Sequence, residues 1–432
     1  MRRLVEWTLT VGAIALSTWT PSIAQPPASA PPLENAKVAS IYATYHMQPL
    51  WFRGGQPSTA IAQLITILQR SAFDGLADGP RLATQIEAAV ERASSGKPAD
   101  VIAADQFISA AWIGYVHALK RPTTGMLYGV EALRPHPPAA ETILLTAAHA
   151  PSLAEHLIAT SRLNAQYALL RDTAWAEALA SGNPTPDPKI LVNLDRARSI
   201  PSAGRFIVVD SATQLLTLYE NGQPVDTMKV IVGTKQLPTP LISSIIYYVT
   251  FNPYWHAPDH LVRKTIAPNF LRLGPKYFQT RGYEILSDWS DPASTVDPSS
   301  VDWKAAARGD LHLLVRQAPG RWNSMGKLKF PFPNSEDIYL HDTPGKELFA
   351  KDTRNLSNGC VRVEDAARLG RWLLARDPIP PGSDPEIAVP VPQAVPIVLT
   401  YLTAQVRDGK VIYLPDIYGW DGAGMSPIVV SQ

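Results

Sequence analysis

The residues able to do chemistry crowd into one stretch of this chain, 338–363, which reads IYLHDTPGKELFAKDTRNLSNGCVRV. It holds the only cysteine, Cys360, within Ser357-Asn358-Gly359-Cys360-Val361-Arg362. It also holds His341 at the end of a short apolar run, Ile338-Tyr339-Leu340, that reads as a strand. A free thiol with a pKa of about 8.5 is only a few per cent thiolate near neutral pH, so a nucleophilic cysteine needs a base. A histidine on a neighbouring strand supplies one, and the separation of 19 positions (360 − 341) leaves room for a strand, a loop and a return. Gly359 allows a sharp turn before the thiol, and the backbone N–H groups of Asn358, Gly359 and Cys360 are candidates to face a developing oxyanion. Arg362, two residues on, projects to the same side as Cys360 in an extended segment, and its planar fork suits a carboxylate. The plain alternative is a buried thiol acting as a small hydrophobe, but Ser, Asn, Gly and Arg make a poor core strand.

A chain of 432 residues has length for two or three domains, and 46% hydrophobic residues give it material for a core. A net charge of +1 without a basic run argues against nucleic acid as a partner. The start is a secretory signal in pattern: Arg2-Arg3, an apolar stretch over 9–19, then small residues at Ser22 and Ala24. That stretch is shorter than the roughly 20 residues a spanning helix needs. We expect a signal peptide over 1–24, a Pro/Ala linker over 25–32, export to the periplasm and no membrane span after cleavage. An uncleaved anchor is the alternative. A single cysteine in an exported chain has no internal disulfide partner, which strengthens a chemical role for it.

The order of elements places these residues. From 33 to 198 the pattern is helical: Ile61, Leu64, Ile65 and Leu68 recur at helical spacing, as do Ile108, Ala111, Trp112 and Tyr115. A third helix is expected over 152–170 and a last one over 189–198. The period then changes to two. Phe206-Ile-Val-Val209 and Gln214-Leu-Leu-Thr-Leu-Tyr219 read as strands, and Asn221-Gly222 marks a hairpin completed by 227–232. A further strand is expected over 245–251. The interval from 252 to 334 is irregular and too long for a bare loop. An amphipathic helix is expected over 364–376. The proline-dense stretch 377–396 is expected to cross the surface, before a hairpin of 395–403 with 411–414 turning at Asp408-Gly409. His256-Ala-Pro-Asp-His260 has metal-like spacing, but Pro258 forbids a regular helix and no third ligand stands near in sequence. No phosphate-cradling glycine loop is present in the sequence.

His341-Asp342-Thr343-Pro344 followed by Ser357-Asn358-Gly359-Cys360-Val361-Arg362 resembles the signature of the L,D-transpeptidase (YkuD-type) catalytic domain, nearest its large periplasmic YcbB-like branch. Lys189-Ile-Leu-Val-Asn-Leu-Asp195, Phe251-Asn-Pro-Tyr-Trp255, Val315-Arg-Gln-Ala-Pro-Gly320 and Lys329-Phe-Pro-Phe-Pro-Asn334 extend the resemblance. It implies an α+β protein: an α-helical scaffold domain over 33–198, then a β-sandwich-like catalytic domain over 199–432. A partly helical cap would occupy about 256–334. It implies that Cys360 attacks the third residue of a peptidoglycan stem peptide, expels the terminal D-amino acid and passes the acyl group to an amine. His341 is the base, oriented by the main-chain carbonyl of Asp342 with a lesser part for that carboxylate. Arg362, Tyr339, Trp255 and Ser357 contact substrate, carbapenem-type β-lactams act as inhibitors, and no metal or organic cofactor is needed. Hydrolysis by the same acyl-enzyme and a non-catalytic wall-binding scaffold are the rival readings.

Overall fold

The computed structural model describes residues 35–290 and 293–422; the expected signal peptide and linker lie outside the described residues. The first half is helical. Ile61, Leu64, Ile67 and Leu68 form the buried face of Ala60–Gln69, while Pro98–Leu119 is apolar nearly all round and accordingly sits at the centre, with Ile108, Trp112 and Tyr115 fully buried. The helix expected over 152–170 is in fact two, Leu153–Arg162 and Ala165–Ala180. Leu163 takes φ +54°, which no right-handed helix accommodates, and Asn164 caps the second helix by accepting the Tyr167 N–H at 2.9 Å. Buried Asp74 accepts from the hydroxyls of Tyr115 and Tyr167, each at 2.9 Å, and pairs with Arg171 at 3.2 Å, so its charge is compensated within the helical core.

The second half is built on one large sheet. Phe206–Asp210, Leu215–Glu220 and Gln223–Gly233 form a meander whose Asn221-Gly222 turn has positive φ at both residues, as a tight hairpin requires. Outward from Gln223–Gly233 come Val361–Val363, then Tyr339–His341, then Leu328–Pro331. On the other side lie Ile387–Thr400 and Ile242–Phe251. Leu328–Pro331 also pairs with Ile242–Phe251, so these strands run in a closed circuit rather than two facing sheets. Ile207, Val209, Val230, Leu340, Val361 and Ile397 fill its apolar interior. Phe206 and Val208, on the opposite face of their strand, join the helical core, which explains why that strand is apolar at successive positions. Helix Ala366–Leu374, capped by Asp365 accepting the Arg368 N–H at 2.9 Å, lays Leu369 and Leu373 on the sheet.

Two expectations are corrected here. The stretch 377–396 does not merely cross the surface: Ile387–Thr400 is a strand between Phe206–Asp210 and Ile242–Phe251. Its prolines are tolerated because Pro390, Pro392 and Pro396 precede Ile397, where pairing on the second side begins. The arm expected over 395–403 therefore belongs to the main sheet as far as Thr400, and the last hairpin pairs Ala404–Arg407 with Lys410–Tyr413 instead, turning at Asp408-Gly409 as expected. In the irregular interval, Trp255–His256, Tyr283–Leu286, Thr295–Val296 and Leu314–Gln317 form a separate sheet. With short helices this sheet encloses its own cluster, centred on Phe270, Phe278 and Trp303. Leu328–Pro331, which the sequence reading put inside this cap, belongs to the main sheet.

Candidate active site

Register decides which side chains meet. In the parallel pair of Tyr339–His341 with Val361–Val363, Leu340 stands beside Val361 and His341 beside Arg362. Leu340, Val361 and Val363 are buried in the sheet interior. Alternation therefore turns Tyr339, His341 and Arg362 to the other face, with Cys360 entering beside Tyr339. The Tyr339 and His341 rings lie 6.0 Å apart, edge to face, as residues two apart on one face should.

The turn before the thiol is fixed from below. Gly359 has φ +112°, where a side chain is strained. Thr239 Oγ1 donates to the Gly359 carbonyl at 2.7 Å and accepts the Gly233 N–H at 2.9 Å. Arg354 is buried and donates to the carbonyls of Gln214 at 3.0 Å and Val230 at 3.1 Å, anchoring the approach to Asn355–Ser357. Neither residue was singled out from the sequence, since each serves the loop through contacts distant in the chain. Ser357, expected to contact substrate, is buried, and its Oγ donates to the Cys360 carbonyl and accepts the Gly359 N–H at 3.3 Å, so it closes the turn. That bond also occupies one of the three expected oxyanion donors. The Asn358 and Cys360 N–H groups have no hydrogen-bond partner among the described residues, and Asn358 is exposed.

His341 is buried, and its Nδ1 lies 2.6 Å from the Asp342 carbonyl. A carbonyl only accepts, so Nδ1 carries the proton and Nε2 keeps its lone pair for use as a base. Burial first, then the Arg362 charge, holds the imidazole down to about 3, which keeps it neutral at physiological pH. The Asp342 carbonyl and the Asp342 charge oppose that shift without overcoming it, and the carboxylate itself accepts from Lys346 Nζ at 2.8 Å and from the Lys327 N–H at 2.9 Å. Cys360 is partly exposed, and its Sγ lies 3.7 Å from the Asp337 carbonyl; no hydrogen bond to His341 is formed among the described residues. Burial pushes the thiol up from its ordinary value, opposed by hydrogen bonding from Tyr339 and by the Lys329 and Arg362 charges. Burial also raises the Tyr339 phenol, with the Cys360 thiol second. Arg362 forms no ion pair among the described residues; Glu364 accepts the Lys229 N–H and Asp365 pairs with Arg368. Trp255 packs against the cap cluster beside Tyr283, at 6.5 Å between rings, and is not on the strands that meet at Cys360.

A thiol, a neutral base, two unoccupied N–H groups and an unpaired guanidinium on one face make an acyl-transfer constellation of the cysteine–histidine kind. No group of three or more metal-binding side chains occurs among the described residues. Residues 204–381 match the model of the L,D-transpeptidase catalytic domain, YkuD, and residues 36–173 match that of a Scaffold domain. The region around Cys360 is thus similar to the YkuD L,D-transpeptidase catalytic domain, and the helical region before it to the Scaffold domain. A Haemophilus influenzae relative named "Putative L,D-transpeptidase" is 28% identical over 393 residues, 89% of this chain and 78% of the relative. Among solved structures, an L,D-transpeptidase from Mycobacterium smegmatis aligns at 13% identity over 46% of this chain with a TM-score of 0.24. An L,D-transpeptidase in complex with imipenem aligns at 14% over 46% with a TM-score of 0.23. The match spans 60% of each of those two structures.

Proposed function

We propose that this chain is an exported L,D-transpeptidase acting on peptidoglycan in the periplasm, with Cys360 as nucleophile and His341 as base. The observation that carries it is the His341 imidazole: neutral, tautomerically fixed by the Asp342 carbonyl, and on the same sheet face as Cys360. The thiol leaves the Asp337 carbonyl and gives its proton to Nε2 as Sγ attacks the carbonyl of the third residue of a donor stem. The N–H groups of Cys360 and Asn358 receive the oxyanion. The C–N bond to the terminal D-amino acid breaks, the imidazolium returns its proton to that amine, and a thioester remains on Cys360. An acceptor amine, deprotonated by His341, then takes the acyl group and frees the thiol. Carbapenem-type β-lactams, being strained acyl donors, would acylate the same sulfur.

The test is mass spectrometry of products from disaccharide-tetrapeptide, with Cys360→Ala alongside. Cysteine-dependent dimers lacking one D-alanine are expected. Tripeptide without dimer would place water as the acceptor. No turnover together with no carbapenem adduct on Cys360 overturns the reading.

A further inference from the structure

Beneath the nucleophile's turn, three buried residues from distant parts of the chain close a ring of hydrogen bonds. The Tyr418 hydroxyl donates to the Gly233 carbonyl at 2.9 Å and accepts the Thr239 N–H at 3.4 Å. The Gly233 N–H returns to Thr239 Oγ1 at 2.9 Å. Thr239 Oγ1 has one proton, and it goes to the Gly359 carbonyl at 2.7 Å. Gly233 permits the ring, since a Cβ there would stand 2.5 Å from the Thr239 nitrogen. Burial raises the Tyr418 phenol, so it keeps the proton that it donates. Tyr418 is itself held firmly: its ring stacks on Tyr401 at 4.8 Å between centroids. Around it the Asp416 carboxylate accepts the N–H groups of Gly419, Trp420 and Asp421 at 2.9, 3.0 and 2.8 Å. Arg196, on helix Pro188–Ala197, donates to the Tyr401 carbonyl at 3.0 Å and pairs with Asp421 at 2.9 Å, tying the segment down from the helical side.

The Gly359 carbonyl shares a planar peptide with the Cys360 N–H, and in a trans peptide the two point opposite ways. A carbonyl drawn onto Thr239 therefore aims the Cys360 N–H away from the ring. That N–H has no partner among the described residues and is one of the two donors left for an oxyanion. Resting on the transpeptidase reading, we propose that Tyr418 is a positioning residue for acyl transfer: acting through Thr239, its hydroxyl holds the Gly359–Cys360 peptide so that the Cys360 N–H meets the oxyanion. A residue 58 positions past the nucleophile (418 − 360) thus helps to set the rate of a reaction it never touches.

The experiment compares two reactions of the same sulfur in the full chain, read well below the melting temperature. Acylation, by disaccharide-tetrapeptide or by a carbapenem, builds an oxyanion; alkylation by iodoacetamide displaces iodide from a saturated carbon and builds none. Tyr418→Phe should lower kcat for the donor by about 10–100-fold with KM within about twofold, because a displaced donor costs only in the transition state. Carbapenem acylation should fall with it, while alkylation stays within about twofold. Adding Tyr418→Phe to Thr239→Val should lower kcat no further than Thr239→Val alone, as two steps of one path do. Tyr115→Phe removes a comparable buried hydroxyl, from Asp74 in the helical core, and should lower the melting temperature without the loss in kcat. The inference is overturned if Tyr418→Phe keeps kcat, if alkylation falls together with acylation, if Tyr115→Phe loses as much kcat, or if the double variant falls by the product of the single losses. The transpeptidase reading survives each of those results. A wild type that is acylated by neither donor nor carbapenem overturns both.

Discussion

Alkylation of Cys360 by iodoacetamide should accelerate about tenfold for each pH unit from 6 to 9, without a plateau. The reasoning starts from two neutral partners. The thiol lies above its ordinary value because burial outweighs the favourable Lys329 and Arg362 charges, so near neutral pH it rests as the neutral thiol. The imidazole, held down to about 3, carries no positive charge with which to stabilise a thiolate in the resting protein. Replacing His341 by Gln should therefore leave the alkylation profile nearly in place while lowering donor turnover by about 10²–10⁴, the usual loss of a general base. Replacing Arg362 by Gln should slow alkylation at a given pH, because removing a cation raises the thiol further. The assay is uncluttered, since Cys360 is the only thiol and adduct mass reports on it alone. A plateau at or below pH 7, or a profile moved by more than a unit in His341→Gln, would show a preformed thiolate–imidazolium pair and refute this account. The same histidine leaves a mark on stability. In the unfolded chain it takes a proton below about 6.5, while the folded chain refuses it down to about 3. Between those values wild-type stability should fall by about 1.4 kcal/mol per pH unit from this group, a slope that His341→Gln should lack in denaturant melts.

Asp342→Asn should keep turnover within a few-fold, because His341 leans on the Asp342 carbonyl and the lost pair to half-exposed Lys346 is worth under about 1 kcal/mol. A fall of about 10⁴, as a catalytic carboxylate would give, would contradict that geometry. Thr239→Val leaves the Gly359 carbonyl and the Gly233 N–H without their partner, which should cost about 1–3 kcal/mol in chemical denaturation and depress turnover at temperatures well below melting. Gly359→Ala forces a side chain to φ +112° with its Cβ 3.0 Å from Ile338 Cδ1, a strain of about 1–3 kcal/mol placed on the nucleophile's own turn. Carbapenem acylation, followed by mass, should suffer more in that variant than the melting temperature does.

The local parts of this site were legible because its chemistry is local in sequence. Cys360, His341 and Arg362 fall within 22 positions (362 − 341 = 21 steps), and period-two alternation puts them on one face. What the sequence hid was whatever depends on partners far along the chain. Nothing about Thr239 announces that its hydroxyl will sit under Gly359, 120 positions on. Ser357 looked available because serine beside a nucleophile often is, yet a turn this tight consumes polar groups internally. Lys329 lay in plain view within Leu328-Lys-Phe-Pro331, where alternation already separates it from the buried Leu328 and Phe330. Its place beside His341 came only with the register that sets the two opposite one another. The misread strand at 387–400 failed for a different reason: proline content argued for surface, and only the one-sided pairing of its first half removes the objection.

That late strand imposes an order on biogenesis. Ile387–Thr400 lies between Phe206–Asp210 and Ile242–Phe251, both of which leave the ribosome well before it. Until it arrives, those two early strands present open edges to one another's absence, and the circuit behind Cys360 cannot shut. The thiol is therefore synthesised ahead of the segment that completes its support. On the transpeptidase reading, activity would require the chain through Thr400, and a product ending before that strand would carry Cys360 in an unclosed sheet.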